Sequence, residues 1–170
     1  MILEILKYGD PRLLMKGSRI KTFNKDIKLL AKNMIDTMYH VQGLGLAAQQ
    51  VGYALNMFVL DLKSAGNINY YLHNGVRVSL IKISPLIIIN PIIIFKSNNM
   101  HYEYEGCLSF PNIRANILRP SIVGIQYQDI NQNFNTLFCD GYAGHCLLHE
   151  YDHINGVLFI NRIKNINYNY

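Results

Sequence analysis

The segment LLHEYDHINGVLF, residues 147–159, sets His149 and His153 four apart, with Glu150 directly after the first histidine. On an α-helix, side chains at i and i+4 lie on nearly one face, so two imidazoles there can aim at a single cation. Glu150, one position on, can reach a water on that cation rather than the cation itself. This is the H-E-x-x-H arrangement, in which the carboxylate acts as general base in a metal-assisted hydrolysis. The bland alternative is a surface helix with one polar side, where Glu150 and Asp152 are simply solvated.

A catalytic centre of this kind needs three protein ligands and one open position. The tail after His153, INGVLFINRIKNINYNY, contains no His, Cys, Asp or Glu. The third ligand must therefore come from upstream, which argues against an ordinary zinc endopeptidase. Cys107, Cys139, Cys146, the four other histidines and the acids all remain candidates. Cys146 sits three residues before His149 and shares its face, although three ligands on one rigid helix would strain the geometry. Spacing alone does not choose among them.

The elements that must position these groups read as follows. From Asn24 to Gln42, the residues Ile27, Leu30, Ala31, Met34, Ile35 and Met38 recur at helical spacing, with Asn24 as cap and Gly43 as stop. Residues 55–62, 86–89, 92–95 and 121–127 read as strands, being short, β-branched or aromatic and bounded by Pro, Asn or Gly. The stretch 64–80, with Gly66, Asn67 and the pair Asn74-Gly75, reads as an inserted loop or hairpin. A second helix starts near Asp140, carries the histidines and stops at Asn155-Gly156. That order predicts an α+β fold, mostly antiparallel sheets packed around a central metal-binding helix, in one domain over residues 1–170.

Composition bounds the function class. The chain has 170 residues, 50% apolar and 16% charged, which suits a globular domain able to bury roughly 70% of its unfolded surface. The net charge of +5 is spread along the chain, so no direct nucleic-acid binding is expected. Three cysteines, an odd number, and Glu4, Lys7, Asp10 and Arg12 interrupting any early apolar run point to a reducing compartment, cytoplasm or organelle interior. The most apolar run, PLIIINPIIIF at 85–95, is too short to span a bilayer.

Three blocks then carry a resemblance to the peptide deformylase family: GLGLAAQQVG at 43–52, EGCLS at 105–109 and HEYDHINGVLF at 149–159. They stand in the family's order, with GDPRL (9–13) and INP (89–91) also similar and the likeness extending over nearly the whole chain. The resemblance implies that the formyl group is removed from the N-terminal formyl-methionine of newly made polypeptides, releasing formate. It implies one divalent metal ion, ferrous iron first and zinc, nickel or cobalt as alternatives, held by Cys107, His149 and His153. Glu150 would take the proton of the attacking water and deliver it to the departing amine. Gln50 and the backbone N–H of Leu108 would donate to the oxygen that becomes negative. Leu44 and Gly45 would pair with an extended peptide, and Gly106 and Arg114 would lie along the same cleft. Leu44, Tyr142, His145 and Cys146 would shape a pocket for the methionine side chain, and Glu105 would pair with Arg119.

The chain departs from the family pattern at Leu148, where Gln is usual, and at His145, where an apolar residue or arginine is usual. The first removes a polar structural contact but no ligand; the second changes the methionine pocket. Only about ten residues follow Phe159, so the C-terminal helix that some members use at the ribosome is not expected. Nascent chains imply transient ribosome proximity, with direct contact unsupported. The rival readings are a zinc endopeptidase and a binding protein that keeps the fold without turnover.

Overall fold

The computed structural model describes residues 1–63, 71–77 and 80–163. The first helix, α1 (Lys25–His40), begins where the Asn24 side chain accepts a hydrogen bond from the Ile27 N–H at 3.0 Å. Its end differs from expectation. Gln42, not Gly43, takes the left-handed conformation (φ 56°), and the Gly43 N–H closes onto the Met38 carbonyl at 2.8 Å. The extra side chain is accommodated because Gln42 is exposed.

Eight strands follow: β1 (Gly45–Ala47), β2 (Met57–Leu60), β3 (Tyr71–His73), β4 (Leu86–Lys96), β5 (Met100–Cys107), β6 (Phe110–Pro120), β7 (Ile122–Gln128) and β8 (Phe134–Asp140). A one-turn helix, α2 (Leu80–Ile83), precedes β4, and α3 (Gly141–Ile154) carries the histidines. Six strands form one sheet in the order β1-β2-β4-β7-β8-β3, while β5 and β6 form a separate hairpin. All named ladders are antiparallel.

The sheet is buried on both faces where β2 and β4 cross it. Phe58, Leu60, Leu86 and Ile88 pack with Ala143, Leu147 and Leu148 of α3. Their alternates Met57, Val59 and Ile89 pack with Leu30, Ala31, Met34 and Met38 of α1. Strict alternation between two apolar layers is why these stretches read as continuous apolar runs. Leu148, which stands where a polar residue was usual, is one of these buried core groups.

Residues 86–89 and 92–95, expected as two strands, are one strand with a bulge. Asn90 sits at φ 51°, and its side chain bonds Ile20 N, Ile20 O and Gln128 Oε1 at 2.8–2.9 Å. Pro91 needs no ladder donor at such a bulge. Within the expected 64–80 insertion, β3 pairs with β8, and Asn74 (φ 51°) and Gly75 (φ 76°) make the turn that follows it. Residues 64–70 and 78–79 lie outside the described residues, as does the tail from 164.

The hairpin and β8 were not anticipated. In β5, Met100, Tyr102 and Tyr104 are exposed, while His101, Glu103, Glu105 and Cys107 occupy the opposite face. A third apolar cluster, built from Leu6, Leu13, Phe110, Ile117, Leu158 and Phe159, ties the hairpin to the N-terminal segment and to the chain after α3. That cluster sets Cys107 against the histidine helix.

Candidate metal centre

Helix α3 (Gly141–Ile154) is stopped just before a left-handed Gly156 (φ 71°), with the Gly156 and Val157 N–H groups closing onto His153 and Asp152 carbonyls at 3.0 Å. One turn apart on it, the rings of His149 and His153 stand 5.1 Å apart, centroid to centroid. Cys107, the last residue of β5, brings its Sγ to 3.2 Å from His153 Nε2. The ligand atoms of Cys107, His149 and His153 all lie within 4.8 Å of one another, and no other such group occurs among the described residues. Two ligands on one tetrahedral ion sit roughly 3.5 Å apart, so the thiol–imidazole approach fits a shared cation. Cys139 is fully buried in the core, and Cys146 lies on the cleft wall outside the group.

Glu105 organises this centre from behind. Its Oε2 accepts from His149 Nδ1 at 3.0 Å and from Arg119 Nη2 at 3.0 Å. Its Oε1 accepts from Arg119 Nε at 2.6 Å and from His145 Nδ1 at 2.9 Å. A carboxylate bonded to Nδ1 places the proton there, leaving His149 Nε2 as the free donor atom. Burial works against the charge of Glu105, but the bonds from His145, His149 and Arg119 hold it well below the usual carboxylate range. Arg119 in turn donates to Asp152 Oδ2 at 2.8 Å, and Asp152 also receives Arg162 at 2.6 Å. The expected Glu105–Arg119 pair is therefore one edge of a larger buried network. The role of Glu105 toward His149, and that of Asp152, were missed from sequence. Period-two alternation in β5 is the signal that would have placed Glu105 beside Cys107.

Glu150 is buried, and its Oε2 has no hydrogen-bond partner. Burial pushes its pKa up to about 7 against the opposing pull of His149. Its carboxylate lies against Gly45, where a Cβ would come 2.5 Å from Oε1. Gly45 thus makes room for Glu150, a reason for a small residue that the sequence did not disclose. Gln50, in the 3-10 turn Ala48–Val51, is held by its own oxygen, which accepts the Ala47 N–H at 2.8 Å. Its Nε2 is thereby directed to within 3.6 Å of Cys107 Sγ and 3.3 Å of Ser109 Oγ. Leu108 occupies the turn between β5 and β6.

These groups open on a cleft of about 510 Å³. Every residue expected at the substrate lines it: Leu44, Gly45, Gln50, Gly106, Leu108, Arg114, Tyr142, His145, Cys146 and Glu150. The ladder skips from Gly106–Arg114 to Cys107–Phe110, so Pro111, Asn112 and Ile113 bulge out and form part of the wall. His145 differs from a simple pocket residue, being wholly buried with Nδ1 turned to Glu105.

A histidine pair and an adjacent buried carboxylate on one helix, with a cysteine from a separate hairpin and a peptide-sized cleft, define a metallohydrolase centre. The polypeptide deformylase family model matches residues 2–169. The peptide deformylase of Opitutus terrae is 42% identical over 165 residues, covering 96% of this chain and 86% of that protein. The crystal structure of peptide deformylase from Thermotoga maritima superposes with a TM-score of 0.83 at 34% identity, covering 97% of this chain and 99% of that one. That of peptide deformylase from Ehrlichia chaffeensis, in complex with actinonin, gives a TM-score of 0.85 at 32% identity over 96% and 90% of the two chains. The chain belongs to the polypeptide deformylase family.

Proposed function

We propose that this protein hydrolyses the N-formyl group of the N-terminal formyl-methionine of newly made polypeptides, releasing formate and a free amino terminus. The observation that carries the reading is convergence. The Cys107–His149–His153 group, the unpartnered Glu150 oxygen and the Gln50 amide all meet at one cleft. A thiolate and two imidazoles form a borderline-soft set that suits ferrous iron, zinc, nickel or cobalt alike, and the family resemblance puts ferrous iron first. When bound, such an ion supplies Lewis acidity and lowers the pKa of a water in its open position.

The chain's own groups do the rest. Glu150 takes the proton of the water that adds to the formyl carbon and returns it to the amine as the C–N bond breaks. The Gln50 amide and the Leu108 N–H donate to the formyl oxygen as it gains charge. Strand β1 is an edge of the six-stranded sheet, which suits an extended peptide added alongside Leu44 and Gly45. Gly106 and Arg114 flank the peptide, and Leu44, Tyr142 and Cys146 wall the methionine pocket, with His145 buried behind them. The partner is a nascent peptide in the cytoplasm or an organelle interior. No described helix is long and apolar enough to cross a membrane.

The test is formate release from formyl-Met-Ala-Ser by anaerobically purified protein, with metal content measured on the same sample. The parent releases formate, prefers formyl- to acetyl-methionine peptides, and loses nearly all turnover in Glu150→Gln with its metal retained. A metal-loaded parent that releases none would replace this reading with that of a binding protein.

A further inference from the structure

His145 has a position that a methionine pocket does not explain. Its side chain is wholly buried, yet its Nε2 has no hydrogen-bond partner. An unpaired buried nitrogen is unfavourable, and an apolar residue of similar volume would carry no such penalty. The one polar contact His145 makes is from Nδ1 to Glu105 Oε1, at 2.9 Å. The carboxylate has no proton to offer, so Nδ1 carries it and donates. His101 of β5 meets the ring edge-on at a centroid distance of 4.5 Å and 66° between planes, limiting its rotation. The two oxygens of Glu105 are then evenly shared: Arg119 and His145 on Oε1, Arg119 and His149 on Oε2.

We propose that His145 is a positioning residue for the metal centre. By holding Oε1, it fixes the carboxylate plane of Glu105 so that Oε2 stays on His149 Nδ1, which keeps His149 Nε2 turned toward Cys107 and His153. Arg119 also donates to both oxygens of Glu105 and to Asp152, and His145 adds a second donor to Oε1 from α3. Leu148 is apolar and packed in the core beneath the sheet, so the polar support for Glu105 from α3 comes from His145 and His149. The inference rests on the metal-centre reading but not on the identity of the substrate.

The test compares three substitutions in the full-length protein. His145→Asn keeps an N–H near the position of Nδ1. His145→Gln keeps polarity but carries its amide to where Nε2 stood, and His145→Leu removes the donor. Affinity for Co²⁺ is measured by chelator competition, together with the visible spectrum of the Co²⁺ form, thermal melting, and kcat and KM for formyl-Met-Ala-Ser. Loss of an orienting partner costs about 10–100-fold in metal affinity or activity. His145→Leu and His145→Gln should lose about tenfold in Co²⁺ affinity, at the lower end of that range. They should shift the Co²⁺ bands and lower kcat rather than raise KM, while His145→Asn stays close to the parent. If His145→Leu does not fold, the Asn and Gln pair decides the matter. Equal Co²⁺ affinity and spectra in those two overturn the proposal, as does a change confined to KM. The metal readouts decide it even if the parent releases no formate.

Discussion

Gly45→Ala tests the space kept beside Glu150, the proposed general base. The added methyl would stand 2.5 Å from Glu150 Oε1 and 2.8 Å from its Cγ and Cδ. Non-bonded heavy atoms settle near 3.5 Å, so the carboxylate must retreat by on the order of 1 Å. Gly45 does not sit at a positive φ, so the backbone accepts alanine without strain. The cost should appear in chemistry instead: a misplacement of about 1 Å near the reacting atoms is worth roughly 10²-fold, or about 2.7 kcal/mol in the barrier. The assay is formate release across a range of substrate concentrations, with metal stoichiometry on each sample. The expected outcome is a kcat lower by about 10² with metal unchanged. In a Glu150→Gln background the same substitution should cost little more, because its target is already disabled. Parent kcat with full metal, or a loss residing wholly in KM, would refute the reasoning and assign Gly45 to peptide contact alone.

Cys107→Ala should abolish metal retention on gel filtration, whereas Cys139→Ala, a change within the apolar core, should retain it; equal retention in both removes Cys107 from the site. Gln50→Ala should keep its metal and lose about 10²–10³ in kcat, and a variant as fast as its parent would deny the amide a role at the oxyanion. Arg119→Met removes the guanidinium that joins two buried carboxylates, leaving Glu105 to its histidines and Asp152 to Arg162; breaking such a buried pair costs about 3–5 kcal/mol. At about 2–4 °C per kcal/mol for a domain of this size, calorimetry should find melting lower by about 6–20 °C, and an unchanged transition would show the network to be dispensable.

The features legible in the residues are those with a local physical cause. Helix α1 follows from apolar spacing and an asparagine cap, and α3 from the four-residue histidine spacing and a terminal Asn155-Gly156, because helical bonds join residues four apart. His149, Glu150 and His153 are fixed relative to one another by that same geometry. So is the inference that a third ligand lies upstream, which needs only a tail without donors. Strands β2, β4 and β7 were visible because apolar layers cover them.

Other features depend on pairing between distant segments. The β5–β6 hairpin was hidden because its inward face, His101, Glu103, Glu105 and Cys107, is polar and meets a hydrogen-bonded network rather than an apolar layer. Only the resemblance pointed to a partner for Glu105, which the fold buries. Asn90-Pro91 read as a strand break because only the fold supplies the partners that make it a bulge. The choice of Cys107 over Cys139 and Cys146 was open on spacing alone. The fold favours Cys107, because the cluster at the end of β5 sets it against α3 within reach of both histidines. Gly45 and Glu150, more than a hundred residues apart, meet only in the folded chain. Sequence fixes what each residue can do within a few positions of itself, and long-range packing decides which of those capacities come within bonding distance.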